Sequence, residues 1–369
     1  MTNDLYHPVQ GPSVIVASGQ LKLAAPSVRS ESALVRCARS KLGRKFLGLY
    51  LALSKRIWNL LPASVRLSGG AYGSHLHAMT LLQADRRQYV ATFFMRNRPE
   101  LELIQRLAGL QVHGSRLNIA VLACSKGAEV YSIAWAIRSV RPDLTLKIQA
   151  VDISQDIVHF AEKGIYSTAP DALGASDREA VAKNGDVDWN THRDQGASMF
   201  ERMTKDEVEA MFEVGAVEVR VRTRFKEGIT WSHGDAGDPD LIAALGPQDI
   251  VVANRFLCHM QPAHAEKMLR NLAKAVKPGG YLFVSGIDLD VRMTVARALG
   301  WKPVTDMLRA IHEGDQSLRD GWPLEYWGLE PFRDDAPDWQ LRYSSVFQIG
   351  EGENTVSALV LQGSRGIKR

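Results

Sequence analysis

The stretch Leu117–Asp152, LNIAVLACSKGAEVYSIAWAIRSVRPDLTLKIQAVD, admits few folds. Asn118–Ala123 is an apolar run of strand length, and Cys124-Ser125-Lys126-Gly127 is a small, polar turn. From Ala128 the period changes. Val130, Ile133, Ala134, Ile137 and Val140 recur at three- and four-residue spacing, one face of a helix. Pro142-Asp143 breaks that helix, and Leu146–Val151 supplies a second strand that stops on Asp152. A parallel βαβ unit crosses over right-handed and sets its first turn beside the end of its second strand. The turn offers N–H groups at a helix N-terminus, and the Asp152 carboxylate can accept two hydrogen bonds from a ribose diol.

The turn holds a single glycine, Gly127, and so lacks the G-x-G-x-x-G pattern that cradles a pyrophosphate. Glu129, in the first turn of the helix, would repel a phosphate and attract a cation. A nucleoside with a positively charged tail fits these two acids better than a dinucleotide does. S-adenosylmethionine (SAM), with its ribose, adenine, sulfonium and ammonium, is such a ligand, and a nicotinamide cofactor is disfavoured.

Several ordered blocks then resemble one family. Ala123-Cys124-Ser125-Lys126-Gly127-Ala128-Glu129-Val130-Tyr131-Ser132-Ile133-Ala134 is similar to the signature A-C/A-S-T-G-E-E-P-Y-S-I-A of the chemotaxis-receptor (CheR-type) methyltransferases. Val151-Asp152-Ile153 resembles its S-D-I, Ala161–Tyr166 its K-A-x-x-G-I-Y, and Leu272–Phe283 its L-x-P-G-G-x-L-F hairpin. Val219–Arg222 with Ile229-Thr230-Trp231 resembles the family's small sheet and the strand after it, where a peptide target or tether docks. Asp249–Met260 resembles the strand carrying C-R-N-V-x-I-Y-F. The resemblance implies a Rossmann-like class I SAM-dependent methyltransferase fold, α/β with a mostly parallel seven-stranded sheet, and SAM as cofactor. It also implies that Thr92-Phe93-Phe94-Met95-Arg96, like the family's T-x-F-F-R, lies over the cofactor with an arginine facing the reaction site. Met95 is inserted before Arg96 and Arg98 follows, and Arg96 is the expected one.

Two departures bear on the acceptor. The family's Arg-Asn is Asn254-Arg255 here, and His259 stands where the family has tyrosine. His259 is a candidate general base, since imidazole titrates near neutrality, or a histidine satisfied at a strand end. About 50 residues from Asp288 to Asp338 are also inserted, with Trp301, Trp322, Tyr326, Trp327 and Phe332 among Asp306, Glu313, Asp315, Glu325 and Glu330. These suit either a cap over an apolar or cationic substrate or a helical subdomain with its own small core. The expected site is Arg96 and His259 for catalysis, and Ala123, Ser125, Gly127, Glu129, Asp152, Ile153, Asp235, Asn254 and Arg255 for the cofactor. Asp235 is placed there to accept from an adenine amino group. His259 and His264 have a poor spacing for a metal, and none is expected.

The remaining chain sets bounds. At 369 residues with 45% hydrophobic and 23% charged residues it is an ordinary globular chain of one or two domains. The domains expected are a tail over 1–30, a helical region over 31–83, and a methyltransferase domain over 84–365 with insertions at 167–228 and 287–340. Its net charge of +4 is too small to argue for nucleic acid. Cys37, Cys124 and Cys258 are far apart and unpaired in pattern, which points to a reducing cytoplasm. The first 30 residues show no secretory leader. Arg36–Arg56 reads as a basic amphipathic helix, able to lie peripherally on the anionic inner face of a membrane or to pack on the main domain. Ser68–Ser74 reads as a Gly-rich linker, with helix again near Leu76–Arg87. The leading expectation is methyl transfer to a carboxylate, hydroxyl or amine acceptor outside orthodox chemotaxis. A protein-glutamate methyltransferase of chemotaxis-type receptors and a non-catalytic SAM-binding regulator are the alternatives.

Overall fold

The computed structural model describes residues 40–62, 65–66, 70–82, 90–167 and 198–350. The N-terminal tail, the chain after residue 350 and most of the first insertion lie outside them. Helix α1 (Lys41–Leu60) starts on Ser40, whose side chain accepts from the Gly43 N–H, and α2 (Gly70–Leu81) lies against it. Gly70 and Gly73, expected in a linker, are therefore part of a helix. Gly73 is buried against the ring of Trp322, where any side chain would collide. The helix starts at Gly70, not near Leu76.

Helix α3 (Arg98–Gly109) leads into β1 (Arg116–Leu122), α4 (Ala128–Val140) and β2 (Thr145–Asp152), the unit foreseen from the change of period. Next come α5 (Gln155–Lys163), β3 (Ile165–Ser167), α6 (Lys205–Met211), β4 (Phe212–Val214), β5 (Glu218–Val221) and α7 (Thr223–Lys226). The second half supplies β6 (Ile229–His233), α8 (Pro239–Leu245), β7 (Gln248–Val252), α9 (Pro262–Leu272) and β8 (Val276–Phe283). Finally α10 (Leu289–Ala298), β9 (Lys302–Pro303), α11 (Leu308–Gly314), α12 (Gln316–Gly321), α13 (Trp339–Tyr343) and β10 (Val346–Gln348) close the described chain.

The main sheet has seven strands in the order β6-β2-β1-β7-β8-β10-β9. The first five are parallel and β10 runs antiparallel to β8, so the fold is Rossmann-like α/β with a mostly parallel sheet. Both faces are covered, and the strands read accordingly as near-continuous apolar runs. Ile119, Val121, Ile250 and Val252 pack on one side with Leu103, Leu107, Val130 and Ile133 of α3 and α4. Ala120, Leu122, Val251 and Leu282 pack on the other with Ile242, Leu269, Leu272 and Val295 of α8, α9 and α10. The seventh place belongs to β9, from inside the inserted segment. Lys277-Pro278-Gly279-Gly280, from the block that resembles the family's hairpin, lies within β8, where the register with β7 shifts between Gln248 and Ile250.

The small sheet β3-β5-β4 is antiparallel and sits on an aromatic cluster. Phe94 stacks on Phe200 and meets Tyr166 and Phe212 edge-on. The inserted segment 287–340 does have a core of its own: Leu289, Leu308, Leu318, Leu329 and Tyr343, with Trp327, Phe332 and Trp339 packed against them. Trp301 packs on Phe347 and Trp322 on Trp58. Of the five aromatic residues singled out in this segment, Tyr326 is the one that reaches into hydrogen-bond range of a predicted site residue.

Candidate active site

A cleft of about 120 Å³, open to solvent, lies where β1, β2 and β7 end. The carboxyl ends of parallel strands are where sheets of this kind bind ligands. Arg96, Ala123, Ser125, Glu129, Asp152, Ile153, Asn254, Arg255 and His259 all line it. These nine were expected as site residues from the chain alone. Val90, Ala91 and Thr92 cross one wall, and Phe256 and Met260 form another.

The turn after β1 is built by backbone that side chains rarely adopt. Ala123 and Ser125 both have positive φ, at 55° and 49°. The Ser125 N–H donates to Asp152 Oδ2 (2.8 Å) and the Ser154 N–H donates to Oδ1 (3.1 Å). Burial raises the Asp152 carboxyl, and those N–H groups oppose the rise. The Ser125 hydroxyl donates to the Val90 carbonyl (2.8 Å), tying the turn to the Thr92–Arg96 segment. Gly127 is the N-cap of α4 with φ 82°, and a Cβ there would lie 2.8 Å from the Trp231 ring. It shapes the turn from behind and is not part of the cleft wall.

Asn254, at the end of β7, is 8% exposed and makes three bonds. Its Nδ2 donates to Glu100 Oε1 (2.7 Å) and Glu129 Oε1 (2.9 Å), and its Oδ1 accepts from the Ser285 N–H (2.8 Å). Burial raises the Glu129 carboxyl, against the Asn254 bond and the Arg96 and Arg255 charges. Glu100 is pushed up to about 8 by burial and then by the Glu129 charge. Its Oε2 is buried with no hydrogen-bond partner among the described residues.

Three arginines converge beside these acids. Arg96 faces the cleft, its guanidinium pulled down to about 10 by burial and by Arg255. Arg255 donates to Asp315 Oδ2 (3.0 Å) and to the Ser317 hydroxyl (3.0 Å). Arg202 donates to Asp315 Oδ1 (3.3 Å) and to the Arg96 carbonyl (2.8 Å). Against its own burial, Asp315 is held well below the usual carboxylate range by Arg255, Arg96 and Arg202. Arg98 points elsewhere, to a bidentate pair with Glu207 in the first turn of α6. Position thus separates the two arginines that the Met95 insertion left ambiguous. His259 Nδ1 lies 2.6 Å from the Tyr326 hydroxyl, with Trp327 alongside.

Asp235 is not brought to the cleft. It is exposed, and its Oδ1 accepts from the Gly237 N–H (2.8 Å), a turn-forming bond. Glu100 and Asp315 were not among the expected site residues. Glu100 had a readable signal: it occupies the same helical stripe as the buried Leu103, Ile104 and Leu107. Asp315 carried none, because its partners lie some 60 and 113 positions away.

Fold and cleft together define a class I SAM-dependent methyltransferase. Asp152 and Glu129 present their carboxylates to this cleft. The family model described as the SAM-binding domain of CheR methyltransferase matches residues 91–174, which hold the turn, Glu129 and Asp152. Over those residues the chain is similar to the CheR type; it is a SAM-dependent methyltransferase, and SAM is its cofactor. Among curated proteins none matches the sequence. Solved structures similar to this chain include a precorrin-6y C5,15-methyltransferase from Geobacter metallireducens GS-15, at 11% identity and TM-score 0.30, covering 58% of this chain and 77% of that one. An O-methyltransferase family protein from Burkholderia thailandensis has 11% identity and TM-score 0.30, with 84% and 71% covered. Magnesium protoporphyrin IX methyltransferase from Synechocystis PCC 6803 with bound SAM has 13% identity and TM-score 0.28, with 56% and 70% covered.

Proposed function

We propose that this protein methylates an acceptor held beside Arg96, Arg255 and His259, and that the acceptor is not the glutamate of an orthodox chemotaxis receptor. The observation that carries this reading is the 2.6 Å bond between His259 and Tyr326. His259 stands at the family's tyrosine position, and the phenol beside it comes from an inserted segment that the compact family pattern lacks. The same segment supplies Asp315, which fixes Arg255. The acceptor side of the cleft is therefore built differently, while the cofactor side keeps its acids.

Asp152 would hold the ribose hydroxyls, Ser125 and Ala123 would border the nucleoside, and Ile153 would cover its exposed edge. Glu129 and Asn254 would face the amino-acid tail. SAM supplies an electrophilic methyl group when bound. Arg96 and Arg255 can orient an anionic or carbonyl-bearing acceptor, the main demand of an in-line displacement being position. His259 can take a proton from a hydroxyl or amine acceptor, whereas a carboxylate needs no base. The test is methyl-labelled SAM with fractionated cell extract. His259→Gln should lower transfer to a hydroxyl or amine acceptor by ~10²–10⁴-fold with SAM affinity kept. An unimpaired variant would remove His259 from the chemistry. Methylation of receptor glutamate would restore the orthodox reading, and SAM binding with no transfer would favour a regulator.

We also propose a peripheral contact between α1 and an anionic membrane surface. Leu42, Phe46, Leu49, Leu53, Ile57 and Leu60 fall on one face of α1 and all are more than half exposed. Arg44, Lys45, Lys55 and Arg56 occupy the adjoining faces, and Trp58 and Tyr50 turn inward to Tyr72 and His75 of α2. An apolar stripe beside cations is the pattern of a helix lying in a lipid interface. No helix among the described residues is long and apolar enough to cross a membrane.

A further inference from the structure

A small cavity adjoins the cleft, and Arg96, Glu129 and Asn254 line both. Glu100, Ser285 and Asp315 line it too, and Phe93, Leu101 and Ile133 close its apolar side. At about 20 Å³ it has room for one group the size of a water molecule, which is also the size of an ammonium head. Glu100 is 5% exposed and its Oε2 has no partner among the described residues, although buried carboxylate oxygens are nearly always bonded. Its Oε1 and that of Glu129 share the two hydrogens of one amide, Asn254 Nδ2.

Two carboxylates this close in a buried site cannot both ionise cheaply unless a cation joins them. The charged groups facing Glu100 come from every element around it: Glu129 of α4, Asp315 before α12, and Arg96 ahead of α3. Arg255 and Arg202 are turned to Asp315, so they neutralise that acid before this pair. The pair is thus short of positive charge, and one orphaned oxygen points to where more would go.

We infer that Glu100 and Glu129 form a paired-carboxylate receptor for the ammonium group of the cofactor, in which Glu100 holds a proton while the cleft is empty and loses it to solvent when the cation binds. The Glu100 O–H bond breaks, its electron pair stays on the carboxylate, and the proton passes to buffer. This rests on the SAM reading of the cleft and extends it to a residue outside the β1–α4 turn. At pH 7 a carboxyl that titrates at about 8 is ~nine-tenths protonated, so most of one proton is available for release.

The test is calorimetric titration of the full chain at pH 7 in phosphate and in Tris, whose ionisation enthalpies differ. Two ligands are compared: S-adenosylhomocysteine, which carries the ammonium, and 5′-methylthioadenosine, which keeps the nucleoside and lacks the amino-acid tail. Release of ~0.5–1 proton with the first and none with the second is expected. Glu100→Gln should abolish the release and weaken S-adenosylhomocysteine about tenfold at pH 8.5, with a smaller gap at pH 6, where Glu100 is already neutral. Equal proton counts for the two ligands in the wild-type protein would overturn the receptor, and so would an unchanged release in Glu100→Gln. Binding of neither ligand would overturn the cofactor assignment itself, a different and separable failure.

Discussion

Asp152 and Glu100 show how differently two buried acids behave once their neighbours are counted. Asp152 is braced by the N–H groups of Ser125 and Ser154, which favour its charged form. Its replacement by alanine removes the acceptors for a ribose and leaves both N–H groups unpaired. Asp152→Ala should weaken SAM by ~10–100-fold, the range for bonds to a charged group, and unchanged affinity by calorimetry would remove the site assignment. Glu100 has only one amide bond, and burial dominates. Its carboxyl stands near 8, against an ordinary 4.5. Above the ordinary value the unfolded chain gives up this proton while the folded chain keeps it, so the contribution of Glu100 to stability is lost as pH climbs toward 8. Glu100→Gln should therefore gain on the wild type between pH 5 and pH 8, read as urea midpoints at three pH values. A gap that stays constant would show that Glu100 does not titrate in that window.

Among the elements, the segment between β8 and β10 decides how the arginines sit. Asp315 is the N-cap of α12, its side chain accepting from the Ser317 N–H, and the same carboxylate receives Arg255 and Arg202. With only 4% of its side chain exposed, it is a buried anion between cations. Removing one partner from such a group leaves the others uncompensated and costs ~3–5 kcal/mol. Asp315→Asn should lower stability by about that much in denaturant titrations and let Arg255 move in the cleft. A loss under ~1 kcal/mol, typical of surface pairs, would mean that the cluster is not closed as described. Helix α6 serves in the same way at longer range. Its capping box, Thr204 with Glu207, also receives Arg98 and so separates it from Arg96.

On the scale of the whole molecule, the α1–α2 pair and the inserted segment lean on each other through Trp58, Gly73 and Trp322, which leaves the apolar face of α1 turned outward. Replacing Phe46 and Leu49 by glutamate should abolish co-sedimentation with vesicles of anionic phosphatidylglycerol and leave calorimetric SAM binding unchanged. Equal sedimentation of wild type and variant, or none by the wild type, would exclude lipid as the occupant of that face.

The central unit was legible in the amino-acid order because its information is local. A strand-length run, a turn and a helical period over Leu117–Asp152 fix β1, α4 and β2, and the acids at 129 and 152 follow from their places in that unit. Arg96, Asn254, Arg255 and His259, outside that unit, could be named from the resemblance to the CheR family, and they too line the cleft. The exceptions are instructive: Asp235 also ends a strand, yet its turn closes on Gly237, and Gly127 is spent on packing. What one segment does to another could not be read. The aromatic residues of 287–340 spell both a cap and a core, and only their packing separates Phe332 in the core from Tyr326 at His259. Glu100 beside Asn254, 154 residues away, and Asp315 between two distant arginines are likewise products of tertiary structure. Hydrophobic period and turn chemistry act over a few residues, whereas the pairing of buried charges depends on which surfaces the folded chain brings together.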